Sequence, residues 1–175
     1  MRVIGGEFRS RKLQSMPGLD VRPTPDKVRE SLFNILNPEI KGSVFVDAYA
    51  GTGAVGIEAL SRGAKHVILI ERGSDALAMI RDNVRSLGLE RETTIVRGTA
   101  AVQLPNHQCD MAFIDPPYEE VKEYSSSLLA LSQTGCTLAI AQHSSKLTLE
   151  DTYGRLRKTR VLNQGDNSLS FYEPA

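Results

Sequence analysis

Short apolar runs alternate with helical patterns from Ser43 onward, and this alternation limits the possible folds more than any other feature of the chain. The apolar runs have the length of strands and cover residues 44–46, 67–70, 94–96, 111–114 and 137–141. Helical patterns lie between them at residues 54–61, 75–87 and 120–131. Continuous apolar strands that alternate with helices are typical of a parallel sheet with helices on both faces. The sequence therefore predicts an α/β fold with a mostly parallel sheet.

The C-terminal segment departs from this alternation. Residues 155–162 and 168–172 flank the four residues Gln164-Gly165-Asp166-Asn167, whose composition is typical of a hairpin turn. We therefore expect the sheet to finish with an antiparallel strand.

The N-terminal segment also stands apart. Residues 2–14 alternate loosely around a pair of glycines and predict a short hairpin or arm. Thr24-Pro25 begins a helix, with the threonine as N-cap and the proline in the first helical position, and Asn37-Pro38 ends it. We predict that residues 1–41 form a basic arm and a helix, packed on a domain of residues 42–175.

The composition excludes several classes of protein. The chain has 175 residues, of which 41% are hydrophobic and 24% are charged, as in one ordinary globular domain. No apolar run approaches the roughly 18 residues that span a bilayer, and the first residues lack the hydrophobic core of a signal peptide. Two cysteines without a Cys/His cluster predict neither a disulfide framework nor a zinc site. We expect a cytoplasmic monomer without a membrane segment or a metal.

The charge is balanced overall, with 21 basic and 21 acidic residues, but it is unevenly distributed. Residues 1–12 contain Arg2, Arg9, Arg11 and Lys12 against one acidic residue. A second basic stretch lies at residues 155–160. Such ends would suit local contact with a polyanion, although short basic stretches are also common on ordinary solvated surfaces.

A glycine-rich turn follows the first strand of the alternating region. Asp47 precedes Gly51 by four residues, and Gly53 follows at the start of the next helix. Glycines let a ligand approach the backbone, and the helix N-terminus offers free N–H groups. Glu71 ends the second strand, where a carboxylate can accept hydrogen bonds from ribose hydroxyls. This arrangement predicts a site for a nucleoside cofactor.

The identity of that cofactor has two interpretations. Gly51, Gly53 and Gly56 satisfy the dinucleotide pattern G-x-G-x-x-G, so a dinucleotide-dependent oxidoreductase is one hypothesis. The carboxylate of Asp47 argues against it, because that charge would repel a pyrophosphate and attract the amino group of a methionine-like moiety.

The tetrapeptide Asp115-Pro116-Pro117-Tyr118 follows the fourth strand. The two prolines fix the backbone and remove two N–H donors, which leaves carbonyl groups to accept hydrogen bonds. An acidic side chain, rigid carbonyls and an aromatic ring together form a slot that suits a planar amine, such as the exocyclic amino group of a base.

These motifs together resemble the class I S-adenosylmethionine-dependent methyltransferases that modify amino groups of bases. More narrowly, the chain resembles the bacterial family of small-subunit ribosomal RNA guanine-N2 methyltransferase D, over nearly its whole length. The resemblance is carried by residues 2–6, 11–13, 22–24, 28–36, 50–64, 113–118 and 171–172. It implies a Rossmann-like fold, S-adenosylmethionine as cofactor, and ribosomal RNA or the small ribosomal subunit as partner.

The resemblance also implies roles for individual residues. The catalytic slot is formed by Asp115, Pro116 and Tyr118. The cofactor site is formed by Asp47, Tyr49, Ala50, Gly51, Thr52, Gly53, Glu71, Arg72, Thr99 and Asp115. The RNA contacts come from Arg9, Arg11, Lys12, Arg22 and Thr24.

The chain departs from the family at three places. Many relatives have phenylalanine near the glycine turn, where this chain has Ala48 and Tyr49. Thr99 is neutral where relatives often carry an acidic residue that binds the adenine amino group. Gln142 precedes His143 where relatives often carry an acidic residue, which leaves the roles of both undetermined.

Three function classes remain open at this point. The first is transfer of a methyl group to guanine N2 in ribosomal RNA. The second is methylation of another amine in the same slot, such as adenine N6 in nucleic acid or a protein glutamine. The third is a dinucleotide-dependent oxidoreductase or a nucleoside-binding module without catalytic activity.

Overall fold

The computed structural model describes residues 1–15 and 24–175. Within these ranges the chain forms one eight-stranded sheet in the order β3-β2-β1-β4-β5-β8-β7-β6. The strands are β1 Val44–Asp47, β2 His66–Glu71, β3 Thr93–Arg97, β4 Met111–Ile114, β5 Leu138–Ser144, β6 Thr152–Tyr153, β7 Leu156–Gln164 and β8 Asn167–Pro174. The helices are α1 Asp26–Leu36, α2 Ala54–Ser61, α3 Ser74–Ser86, α4 Ala100–Gln103 and α5 Lys122–Ser132, with a 3-10 turn at Leu104–Asn106.

The sheet is parallel in its first half and antiparallel in its second. β1 pairs with both β2 and β4, and β2–β3 and β4–β5 are also parallel pairs. β8 then lies antiparallel between β5 and β7. The predicted α/β fold and its antiparallel ending are therefore confirmed. Because β1 and β4 are neighbours while the chain runs from β1 outward to β3, the strand order reverses between them, where open α/β sheets bind ligands.

Helices cover the sheet on both faces. One apolar cluster joins the arm, α1, α2 and α3 to side chains such as Phe45, Phe113 and Ile140. A second cluster, on the other face, joins α4 and α5 to the alternate strand residues, among them Ala112 and Ala141. This division follows from strand geometry, because successive side chains point to opposite faces. The alternation therefore shows which face of the sheet each strand residue near the carboxyl edge occupies.

The predicted N-terminal hairpin packs directly on α2 and α3. The backbones of Arg2 and Lys12 form an isolated antiparallel β-bridge. The buried carboxylate of Glu58 in α2 accepts hydrogen bonds from the N–H groups of Ile4 and Gly5, both at 2.9 Å. Gly6 has a φ of +79°, and a Cβ there would lie 1.9 Å from the carbonyl oxygen of Ser61. The glycine pair therefore lets the arm approach α2. The described residues Val3, Leu13 and Val28 of the N-terminal segment share one apolar cluster with the sheet. We therefore propose that the boundary at position 42 separates two functional segments that share one core.

The structure corrects the predicted start of α1. The residue in the N-cap position is Pro25, not Thr24, and no side chain caps this helix. The Thr24 hydroxyl donates to Oδ2 of Asp115 at 3.3 Å instead. The hydroxyl therefore forms a long-range hydrogen bond in place of the predicted helix cap. The spacing of residues along the sequence does not indicate such a contact.

Two smaller differences concern the elements after β3. The sequence pattern did not predict α4 and the 3-10 turn, which are too short for a helical periodicity to be seen. β5 extends to Ser144, three residues beyond the predicted run, because Gln142 and His143 continue the pairing with β8. No helix in the described part of the chain has the length and apolar character needed to cross a membrane.

Candidate active site

A cavity of about 640 Å³ opens at the carboxyl edge of the sheet, where β1 and β4 end. The segment after β1 forms one wall, and the segment after β4 forms another. Its lining includes nine of the residues predicted for the cofactor site: Asp47, Tyr49, Ala50, Gly51, Thr52, Glu71, Arg72, Thr99 and Asp115. The slot residues Pro116 and Tyr118 line the same cavity, as does Thr24. Thr24 and Asp115, which are 91 positions apart in the sequence, thus meet in one space.

Glu71 organises the glycine turn. Its Oε1 accepts a hydrogen bond from the Gly51 N–H at 2.9 Å, and its Oε2 accepts one from the Gly73 N–H at 2.7 Å. The carboxylate at the end of β2 therefore ties the β1 turn to the start of α3. Each carboxylate oxygen has two acceptor sites, so Glu71 retains capacity for ribose hydroxyls while it holds the backbone.

Gly53 was also predicted to contribute to the cofactor site, and it stands in the N-cap position of α2. It is absent from the described residues that line the cavity, and a Cβ built on it would point at Ile57, Leu69 and Ile80, at 3.6–3.7 Å. Its φ of +84° lies in the left-handed region, which favours glycine. Gly53 therefore shapes the turn through its backbone and does not form a wall of the cavity.

Asp47 is the most deeply buried acidic group of the cavity, with a relative exposure of 1%. Burial, together with the negative charges of Asp115 and Glu71, raises its pKa to about 8, although the hydrogen bond from the Tyr49 N–H acts in the opposite direction. A cation placed beside Asp47 would remove this electrostatic cost. The position therefore favours a positively charged ligand group.

The cavity as a whole is acidic. Among its described lining residues, Arg72 is the one basic side chain, and the six acidic ones are Asp47, Glu71, Asp115, Glu119, Glu120 and Glu123. Nη2 of Arg72 pairs with Oε1 of Glu120 at 2.7 Å, which offsets even that positive charge. The ionised carboxylates of this lining would repel the pyrophosphate of a dinucleotide and attract a sulfonium or an ammonium group. The acidic lining therefore fits S-adenosylmethionine and argues against the oxidoreductase hypothesis.

Two other predicted cofactor residues lie on the walls. The hydroxyl of Tyr49 shares hydrogen bonds with Ser127 at 2.6 Å and with Glu123 at 3.1 Å, both on α5. Burial raises the pKa of Tyr49 above its ordinary value, so the phenol stays neutral. Thr99 is exposed at the mouth of the cavity, just before α4.

The residues predicted to form the acceptor slot, Asp115, Pro116 and Tyr118, all line the cavity. Asp115 follows β4 directly and is partly buried, with the Thr24 hydroxyl on its Oδ2. The Tyr118 hydroxyl donates to Oδ1 of Asn167, the first residue of β8, at 2.7 Å. Asn167 therefore restrains the ring from the C-terminal hairpin. Sequence spacing does not indicate this contact, because the two residues are 49 positions apart.

The predicted RNA contacts are distributed along the arm. Lys12 lies next to the Leu13–Met1 hydrogen bond, and Met1 lines the cavity. Arg9 lies in the turn that contacts the end of α2, and Nη2 of Arg11 donates to the Ser86 carbonyl at the end of α3. Both helix ends lie at the opposite edge of the sheet, because helices run antiparallel to the strands of a βαβ unit. Arg22 lies outside the described residues.

Asn83 connects the arm to the glycine turn, which sequence reasoning missed. Its Nδ2 donates to the Thr52 carbonyl at 2.9 Å and to the Gln14 carbonyl at 3.1 Å. Its Oδ1 accepts from the Gln14 N–H at 2.7 Å. The side chain is buried near the C-terminal end of α3 and joins the arm to the glycine turn through these hydrogen bonds.

His143 is held in the sheet. Its Nε2 lies 2.7 Å from the Ser170 hydroxyl, its Nδ1 lies 2.9 Å from the Ser144 carbonyl, and its ring meets Tyr124 edge-on. Burial lowers its pKa, which favours the neutral ring. These contacts indicate a structural role. Among residues 1–15 and 24–175, no group of three or more His, Cys, Asp or Glu side chains is placed to hold a metal ion.

Known proteins provide an independent comparison. A family model described as conserved hypothetical protein 95 matches residues 1–173. A Bacillus subtilis protein described as a candidate rRNA methyltransferase is 35% identical over 185 residues, which cover 99% of this chain and 98% of that protein. The ribosomal RNA small subunit methyltransferase D of Haemophilus influenzae is 36% identical over 135 residues, which cover 74% of this chain and 70% of that protein.

The solved structures agree with the sequence relatives. A candidate methyltransferase from Escherichia coli superimposes with a TM-score of 0.83 at 30% identity. The match covers 99% of this chain and 97% of that chain. The similarity therefore extends over the arm, the sheet and the C-terminal hairpin together.

Proposed function

We propose that this chain, which belongs to the family described as conserved hypothetical protein 95, transfers a methyl group from S-adenosylmethionine to the exocyclic N2 amine of a guanine in small-subunit ribosomal RNA. The observation that carries the proposal is the acidic cavity, in which Asp47 at the end of β1 and Asp115 after β4 face one space. The first carboxylate suits the cofactor's positive charge, and the second suits an amine.

The chain's own residues divide the cofactor between them. Bound S-adenosylmethionine supplies an electrophilic methyl group on a positively charged sulfur. Asp47 would face the amino group of its methionine end, and Glu71 would accept the ribose hydroxyls while it holds the Gly51 and Gly73 amides. The 50–52 turn would line the space between them.

The acceptor slot acts on the lone pair of the target amine. That lone pair is delocalised into the base, so the free amine is a weak nucleophile. Asp115 and the Pro116 carbonyl would accept the two N–H groups, favour pyramidal nitrogen and stabilise the positive charge that develops there. Tyr118, restrained by Asn167, would stack on the base and align it. The proton then leaves to water.

The proposal also covers the RNA partner, the oligomeric state and the cell compartment. Sequence-specific RNA recognition usually targets single strands and splayed bases, and a base of that kind could enter the slot and stack on Tyr118. We propose that the arm of residues 1–41 contacts RNA of the small ribosomal subunit, that the protein acts as a monomer, and that the reaction takes place in the cytoplasm.

One assay tests the proposed function. Labelled methyl transfer from S-adenosylmethionine is measured on isolated ribosomal RNA and on small subunits, followed by nucleoside analysis. Labelled N2-methylguanosine is the expected product. Label in N6-methyladenosine would assign the chain to another amino-methyltransferase class, and an absence of label in both substrates would contradict the proposal.

The RNA contacts of the arm lead to a quantitative prediction. Replacing Arg9, Arg11 and Lys12 together by alanine should weaken RNA binding and flatten its dependence on salt. Each phosphate interaction that the variant removes lowers the slope of log K against log salt by about 0.7 to 0.9. Binding isotherms at several salt concentrations measure the slope, and cofactor affinity serves as the control. If the triple variant keeps the wild-type slope, the arm has a structural role only.

A further inference from the structure

Gln142 is an anomaly in the packed interior of the sheet. The residue is 0% exposed, and neither its Oε1 nor its Nε2 has a hydrogen-bond partner among the residues that the structure describes. Its backbone carbonyl is occupied, since it accepts a hydrogen bond from the Tyr124 hydroxyl at 2.8 Å. Buried amides that lack partners weaken a fold, so an unpaired one calls for an explanation.

The sheet register places Gln142 beside the acceptor slot. Phe113 pairs with Ile140, and Ile114 pairs with Ala141, so the next position of β5 lies alongside Asp115. Phe113 and Ile140 belong to the apolar cluster on the α1 face, whereas Ala141 belongs to the opposite one. Side-chain alternation therefore directs both Asp115 and Gln142 to the α1 face. The Thr24 hydroxyl, which reaches Asp115 from the residues before α1, is consistent with this placement.

We propose that Gln142 reads the Watson–Crick edge of the target guanine next to the amine held by Asp115, which makes it a specificity-determining residue. This inference rests on the proposed function. The unpaired amide is kept in the ligand-free protein because its partner is the base.

The chemistry of the guanine edge matches an amide. Beside the N2 amine, guanine presents the N1–H donor and then the O6 acceptor. One amide offers an acceptor oxygen and an N–H donor in the same order, so Gln142 can form two parallel hydrogen bonds. When adenine N6 occupies the slot, the next atoms are the N1 acceptor and a C–H group, which leaves the amide oxygen unpaired. The same side chain therefore favours guanine.

The base needs access to the α1 face. Gln142 does not line the cavity of the ligand-free protein among the described residues, and the Thr24 hydroxyl occupies Oδ2 of Asp115. An incoming amine would replace Thr24 on that oxygen. The base edge would then reach the side of the slot where Gln142 lies.

The test compares guanine with 2-aminopurine, which keeps the N2 amine but lacks both the N1–H and O6. The wild-type methylation site is first mapped, and 2-aminopurine is then placed there by RNA ligation. The wild type should prefer guanine by about 10- to 100-fold in single-turnover rate, the scale of removing two hydrogen bonds. In Gln142→Met, which has a similar shape without polar atoms, guanine transfer should fall by about the same factor and the preference should disappear.

Two further readouts separate this role from a structural one. Gln142→Met should keep the wild-type cofactor affinity, and its melting temperature should stay unchanged or rise, because an unpaired buried amide has been removed. Gln133→Met, an exposed glutamine just after α5, is the matched control and should behave as the wild type. A Gln142→Met protein that melts much lower would show a structural partner and overturn the inference.

The outcomes for the two proposals are distinguishable. Equal wild-type rates on guanine and 2-aminopurine would overturn the role of Gln142 without any variant, while transfer to guanine itself would still support the proposed function. If Gln142→Met kept the wild-type preference for guanine over 2-aminopurine, the role of Gln142 would likewise be overturned. A wild type that transfers no methyl group to guanine-containing RNA contradicts the proposed function instead.

Discussion

Replacing Asp115 by alanine is expected to lower single-turnover methyl transfer by about two to three orders of magnitude, the usual effect of removing one preorganised electrostatic interaction. The carboxylate is proposed to act on the target amine mainly as positive charge develops on nitrogen. The group lies after the end of β4 and is partly exposed, so the fold should persist. Asp115→Asn keeps one acceptor oxygen and should retain more activity than Asp115→Ala.

The measurement uses enzyme with bound cofactor, so that slow product release does not mask the chemical step. Cofactor affinity should change little, since Asp47 and Glu71 are proposed to hold most of the polar groups. Glu90→Ala removes one exposed carboxylate after α3 and controls for the change in net charge. A near-normal transfer rate in Asp115→Ala would show that the slot does not perform the chemistry.

Replacing Asp47 by asparagine is expected to lower the affinity for S-adenosylmethionine by about 2–4 kcal/mol, or roughly 30- to 1,000-fold. The variant removes a buried carboxyl group that is proposed to face the cofactor's amino group and to be negatively charged in the complex. Because the pKa of Asp47 is raised to about 8, the wild type should also release a proton when it binds this cation near neutral pH. Calorimetry in two buffers with different ionisation enthalpies measures both effects, and proton release should be absent in the variant.

The same group makes a prediction for the ligand-free protein. Its pKa is raised to about 8 in the fold, against about 3.9 in an unfolded chain, so between these values the native state holds a proton that the unfolded state has released. Stability therefore falls as pH rises from about 4 to about 8, and levels off above that. Asp47→Asn should gain stability relative to the wild type across this window, by on the order of a few kcal/mol.

Urea unfolding at about pH 5, 7 and 9 measures this difference. A variant that is less stable than the wild type at the highest pH would show that the ionised carboxylate has a stabilising partner in the fold. An unchanged cofactor affinity would show that Asp47 does not face the cofactor. The two results are independent, since one concerns the ligand-free protein and the other concerns the complex.

The sequence by itself determined the strands and the residues at their ends. Short apolar runs specify strands locally, and Asp47, Glu71 and Asp115 end or directly follow such runs. Parallel strands bring their carboxyl ends to one edge, so the pattern predicted that these three carboxylates converge. The C-terminal hairpin was likewise predictable, because its turn is encoded in four consecutive residues.

Only the tertiary structure decided the contacts that modify these groups. The Thr24 hydroxyl satisfies Asp115 rather than capping α1, and Asn167 restrains Tyr118 from a distant strand. Each contact depends on strand order and on side-chain direction, which spacing along the chain does not specify. The raised pKa of Asp47 and the unpaired amide of Gln142 have the same origin, because burial and hydrogen bonding are set by neighbours that the fold brings together.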